Sequence, residues 1–218
     1  MNEKASTATA APQTFIFIGR SGSGKGTQAT LLQAYLEKGA GRSGDVAGAG
    51  AAPVKYLQTG AEFRSFLQGD SYTQKTAKAL STKGALQPAF LAIYMWAKFF
   101  TEKLTGGEHL IIDGTPRKRD EAQVLDSVFG FYGRTKPVIL FMNVSEVEAA
   151  RRLAARQRLD DNSVEIRGRL AWYKTDVEPA VEWYRTNPNY RFVEVNGEQS
   201  EAKIHEDIVA AVVATPTK

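Results

Sequence analysis

An α/β fold, with a five-stranded parallel sheet covered by helices on both faces, is predicted by three features of the sequence. These are short unbroken apolar runs, helical stretches that alternate with them, and a glycine-rich turn joining the first run to the first helix. A parallel strand is buried on both sides, so it reads as a continuous β-branched and aromatic run rather than as an alternation. Residues 14–18 (TFIFI) have that character, which returns at 54–57, 110–112, 138–143 and 191–195. Helical patterns occupy 25–38, 89–104, 117–129, 145–157 and 162–185. Parallel neighbours require crossover connections, and strict alternation of the two element types places those crossovers on both faces. Ser145 with Glu148 and Asn162 with Glu165 have the spacing of capping boxes at two helix starts.

Composition narrows the function classes. With 218 residues, 43% of them apolar, the chain can bury one substantial core. Residues 14–218 are therefore expected to form one domain, preceded by a small, polar, disordered segment at 1–13 and interrupted by a flexible Gly/Ala insertion at 39–53. Cysteine is absent and the two histidines, His109 and His205, lie far apart, so disulfides and a zinc site are not expected. No apolar run approaches the roughly 20 residues of a membrane helix, and the first residues lack a signal core. A cytoplasmic protein with no membrane partner is expected. The net charge of +4 is concentrated in arginines between Arg151 and Arg169, which suits one local polyanion site better than a nucleic-acid surface.

The turn after the first run reads GRSGSGK over residues 19–25. Between a strand and a helix, its glycines let backbone N–H groups wrap a phosphate, the helix N-terminus adds partial positive charge, and Lys25 reaches the terminal phosphates of a nucleoside triphosphate. Position 26 is Gly, where the common phosphate loop has the Ser or Thr that touches magnesium, and Thr27 follows.

The variant GxxGxGKGTQ, carried by Gly22, Gly24, Lys25, Gly26, Thr27 and Gln28, resembles the adenylate kinase family. Four later blocks extend the resemblance over nearly the whole chain. TGAEFR holds Thr59, Gly60 and Arg64; Gly84, Leu86, Gln87 and Pro88 match a second block; Asp113, Gly114, Pro116 and Arg117 match a third, DGTPR; and Arg152, Arg156, Arg158, Asp160, Asp161 and Arg169 fall in the pattern of a lid. The resemblance implies a P-loop kinase of the short-lid type, which transfers the γ-phosphoryl group of ATP reversibly to AMP. It implies an acceptor-binding segment at 58–88 and a very short lid at 155–162.

By the same resemblance, Gly22, Ser23, Gly24, Lys25, Gly26, Thr27, Arg152, Arg156 and Gln199 would hold ATP. Thr59, Arg64, Leu86, Gln87, Gly114, Arg117, Glu121, Arg158 and Arg169 would hold the acceptor. Lys25, Arg117, Arg156, Arg158 and Arg169 would surround the phosphoryl group in transfer, Asp160 and Asp161 would support the lid arginines, and Asp113 would meet magnesium through water. Magnesium would travel with ATP, no zinc is expected, and a monomer is expected. Alternatives stay open: another acceptor such as GMP or CMP, or a nucleotide-binding module without catalysis. The first is prompted by Glu121, which stands where the family carries a glutamine that reads adenine. An ionised carboxylate can only accept hydrogen bonds, whereas an amide also donates.

Overall fold

The computed structural model describes residues 12–39, 52–156 and 163–213. Five strands form one parallel sheet: β1 (Thr14–Gly19), β2 (Val54–Gln58), β3 (His109–Asp113), β4 (Val138–Asn143) and β5 (Arg191–Asn196), in the spatial order β2-β3-β1-β4-β5. In the centre, Phe15 is in register with both Ile111 and Val138. The unbroken apolar runs are explained by two cores. Side chains alternate across a strand, so Ile16 and Ile18 pack on one face with Trp96, Phe100, Leu125 and Tyr184, while Phe15 and Phe17 pack on the other with Leu32, Leu36, Ile204 and Ile208.

The first face is covered by α4 (Ala89–Lys103), α5 (Arg119–Phe131) and α8 (Glu178–Thr186), the second by α1 (Lys25–Glu37) and α9 (Glu201–Val213). Between β2 and α4 lie two short helices, α2 (Thr59–Phe66) and α3 (Tyr72–Ser81). The latter opens on a complete capping box, in which Gln74 N–H donates to Ser71 Oγ at 3.3 Å and Ser71 N–H donates to Gln74 Oε1 at 3.0 Å. After β4 come α6 (Glu146–Ala155) and α7 (Ser163–Trp172).

Three sequence expectations need correction. The helix expected from residue 117 begins at Arg119, because Pro116 and the extended Lys118 keep Arg117 in the preceding loop. The run expected at 162–185 is interrupted by a π-helical turn, Tyr173–Val177, between α7 and α8. Pro179 has no N–H for the carbonyl four residues back and its ring would crowd that oxygen, so the helix widens by a residue just before it. The box at Ser145 is only half formed. Glu148 N–H does donate to Ser145 Oγ, but the Glu148 carboxylate turns to Arg151 and Arg152, and the Ser145 amide is taken by Glu198. The second expected box, at Asn162, lies outside the described residues.

Candidate functional site

One cleft of about 420 Å³ opens at the C-terminal ends of β1, β2 and β3, within the size range of small-molecule pockets. Its floor is the loop between β1 and α1. Gly22 and Gly24 sit at φ of 86° and 88°, a left-handed conformation that favours glycine. A Cβ on Gly22 would also lie 2.6 Å from the Ala149 carbonyl, so the loop packs directly on α6. Helix α1 starts with no side-chain cap and no acidic residue in its first turn, which leaves its N-terminal amides and dipole to an anion. Lys25 Nζ donates to the carbonyls of Gly19 (2.9 Å) and Arg20 (2.6 Å) and to Ser23 Oγ (3.4 Å). Burial pulls its pKa down to about 8, with Asp113 opposing. Gly22, Gly24, Lys25, Gly26 and Thr27 line the cleft, whereas Ser23 is fully buried beneath the loop.

The wall opposite is built from β2, β3 and the segments that follow them. Thr59, Arg64, Leu86, Gln87, Gly114, Arg117 and Glu121 all line the cleft. Gly114, at φ 88°, lets the loop after β3 pass close to the Gly60 amide. Its carbonyl receives Arg117 Nε at 2.9 Å, and the Arg117 guanidinium lies over the Trp172 ring at 5.4 Å. Burial lowers the pKa of Arg117 from its usual value, and Glu121 opposes that shift most. Glu121 is only 3% exposed. Its Oε2 accepts from Thr115 Oγ1 (3.3 Å) and from the Arg117 amide (3.2 Å). Gln87 donates its amide N–H groups to the Ala77 carbonyl and to Ser81 Oγ, both at 2.9 Å. Its Oε1 and the Thr59 hydroxyl are buried without a hydrogen-bond partner among the described residues. A polar ligand edge suits such a wall, because a buried polar atom left unpaired costs about 1–3 kcal/mol.

Asp113 ends β3 between these two walls. Its Oδ2 accepts from the Tyr56 hydroxyl at 3.4 Å and would lie 3.3 Å from a Cβ at Gly26, so the carboxylate abuts the phosphate loop. Among the described residues there is no group of three or more His, Cys, Asp or Glu able to hold a metal. A single carboxylate beside a phosphate loop fits magnesium bound mainly by phosphate and water.

From α6, its C-terminal end and α7, Arg152, Arg156 and Arg169 line the same cleft, and Arg152 Nε donates to Glu148 Oε1 at 2.6 Å. Arg158, Asp160 and Asp161 lie outside the described residues. Gln199 does not line this cleft; its side-chain amide donates to the Asn196 carbonyl and to Asp207, whereas the ATP contact that the resemblance implies is made by its backbone. Three contributors escaped the sequence reading. Trp172 lines the cleft three residues after Arg169, a spacing that puts both on one helix face and could have revealed it. Arg20 lies over the Tyr173 ring at 3.7 Å, and Tyr56 supports Asp113. The first joins the loop after β1 to the π-helical turn and the second joins β2 to β3, so neither has a local sequence signal.

The cleft thus has a phosphate loop on its floor and arginines on three sides, an arrangement able to align two phosphate-bearing molecules and neutralise the charge between them. The family model described as Adenylate kinase matches residues 17–189. Among curated relatives, the adenylate kinase of Thermobifida fusca is 31% identical over 78% of this chain and 82% of its own length. That of Bacteroides fragilis is 30% identical over 90% of this chain and 96% of its own length. That of Prochlorococcus marinus is 28% identical, with 84% and 90% covered.

Proposed function

The chain belongs to the adenylate kinase family and is a nucleoside monophosphate kinase, and from that premise we propose that it moves the γ-phosphoryl group of ATP to AMP, its principal acceptor, with relaxed selectivity for the acceptor base. The observation that carries this reading is the single cleft shared by the phosphate loop and the wall around Arg64 and Arg117. Lys25 and the α1 N-terminus take the donor phosphates, with Gly22, Gly24, Gly26 and Thr27 shaping their seat and Ser23 supporting it from below. Arg117 and Arg64 take the acceptor phosphate. Arg152 lies against the donor base, and Arg156, Arg158 and Arg169 close on the transferring group.

The acceptor phosphate is mostly dianionic near neutral pH, since its second pKa lies near 6. It therefore needs no protein base, and the work of the residues is alignment and charge stabilisation. Asp113, held by Tyr56, would hold the magnesium that accompanies ATP through water, and the ion would supply charge neutralisation on the phosphates. Thr59, Leu86, Gln87 and Gly114 form the seat of the acceptor nucleoside, and Glu121 faces its base. A carboxylate accepts from guanine or cytosine donors as readily as from the adenine amino group, which is the source of the relaxed selectivity.

The test is an acceptor panel of AMP, GMP, CMP, UMP and dTMP with ATP as donor, read by coupled ADP formation. AMP should give the highest kcat/KM, GMP and CMP measurable turnover, and UMP, with two acceptor oxygens, the poorest. A different best acceptor overturns the AMP assignment, and no ADP with any acceptor overturns the kinase reading of this chain.

A further inference from the structure

Glu121 is the one acidic side chain on the acceptor wall of the cleft among the described residues, and its two oxygens are not equivalent. Both of its side-chain hydrogen bonds fall on Oε2, from the Thr115 hydroxyl and the Arg117 amide. Thr115 is itself only 2% exposed, so this bond is also what satisfies a buried hydroxyl. An oxygen that already accepts two donors is a poor place for a proton, so protonation of this carboxyl would fall on Oε1. Ionised, Oε1 accepts from an N–H. Protonated, it donates to a ring nitrogen. Adenine N1 is an acceptor and guanine N1–H a donor, so one atom would welcome the two purines in opposite protonation states.

We propose that Glu121 is a proton-dependent specificity residue: it takes up a proton from solvent when an adenine monophosphate seats, donates from Oε1 to the base, and accepts guanine in its ionised form. The proposal rests on the acceptor reading given above. No bond other than the O–H forms or breaks.

The surroundings favour such an exchange. Burial raises the pKa of Glu121 from its ordinary value, with the Arg117 amide and then the Arg117 guanidinium pulling the other way. Asp120, on the same helix, adds to the rise, and Tyr184 of α8 senses the charge of Glu121. Arg117 in turn faces Arg169 of α7, Asp113 of β3 and Arg64 of α2. Arg117 is therefore the main countercharge of Glu121. An acceptor phosphate bound to Arg117 neutralises that countercharge, and a base over the wall removes remaining water. Both changes disfavour the ionised carboxylate.

The experiment measures kcat/KM for AMP and for GMP across about pH 5.5 to 8.5 with the wild type and Glu121→Gln. The two acceptors carry the same phosphate, so titration of that phosphate and of Lys25 cancels in their ratio. The wild-type ratio of AMP to GMP should fall about tenfold per pH unit above the carboxyl pKa, and in E121Q, whose amide donates at every pH, it should be flat and shifted toward AMP. A flat wild-type ratio, or a slope that persists in E121Q, overturns the proposal. Calorimetry of AMP binding near pH 8, in buffers of different ionisation heat, provides a second readout that does not need GMP turnover. The wild type should take up about one proton more than E121Q, since any uptake by Lys25 is common to both; equal uptake by the two overturns the proposal. ADP formation from AMP with a flat ratio defeats this inference alone, whereas no ADP from any acceptor defeats the proposed function.

Discussion

Lys25 shows what the loop demands of one residue. Three oxygens of the loop hold its ammonium group, yet burial depresses its pKa to about 8. A lysine so depressed is charged below that pH and neutral above it, so kcat/KM for ATP should fall as pH rises through about 8. The value of kcat at saturating ATP should hold to higher pH, because bound phosphates favour the charged form. The same shift affects stability with a definite sign. Between about 8 and the ordinary 10.5 the unfolded chain binds more protons than the folded one, so the contribution of Lys25 rises with pH across that window. Lys25→Ala should lower kcat by roughly 10²–10³ with an unchanged circular dichroism spectrum. Arg117→Ala should lose comparable activity, expressed mainly against the acceptor. Near-normal turnover in either variant would remove that residue from the proposed machinery.

At the scale of elements, Gly168 ties α7 to the acceptor wall. Glycine inside a helix costs about 1 kcal/mol relative to alanine, but a Cβ here would overlap the Gly84 carbonyl, so the helix carrying Arg169 packs its backbone against the turn before Leu86 and Gln87. Gly168→Ala, which would stabilise an isolated helix, should therefore destabilise this protein and raise the acceptor KM more than the ATP KM. An unchanged melting temperature with unchanged KM values would refute that packing. The loop before β3 is held by a different device. The Arg134 guanidinium donates to the Glu108 carbonyl at 2.6 Å and to its carboxylate at 3.1 Å, and both side chains are buried. Arg134→Met leaves a buried carboxylate without its cation and should cost about 3–5 kcal/mol in urea unfolding, while activity per folded molecule stays near that of the wild type. Neither the Gly84 contact nor the Glu108 pair has a local signature, because each joins residues distant along the chain.

For the whole molecule, two apolar layers pack on the faces of a parallel sheet. Among the described residues no metal cluster exists, and the sequence contains no cysteine. Treatment with EDTA should therefore leave the melting temperature unchanged within about a degree while abolishing phosphoryl transfer, and added magnesium should restore it. A large drop in melting temperature, or stoichiometric zinc in the purified protein, would contradict this. The fold opens the cleft at the strand ends. Because β1 lies between β3 and β4, its loop and the loop after β3 open side by side at the C-terminal edge, where open α/β sheets bind ligands.

Much of this was legible in the sequence by itself. The continuous TFIFI run required burial on both faces, and the GRSGSGK turn required a phosphate loop, because strand burial and glycine backbone freedom are local consequences of residue type. The GxxGxGKGTQ variant and the order of the four later blocks carried the family resemblance. Tertiary structure alone decided which groups became partners. Pairing Trp172 with Arg117, Tyr56 with Asp113 and Gly168 with Gly84 depends on how elements cross in space. It also decided that the Gln199 side chain pairs with Asp207, eight residues away on α9. A side chain's chemistry is written in its residue type, but its protonation and its partners depend on burial and distance, which only the packed chain supplies.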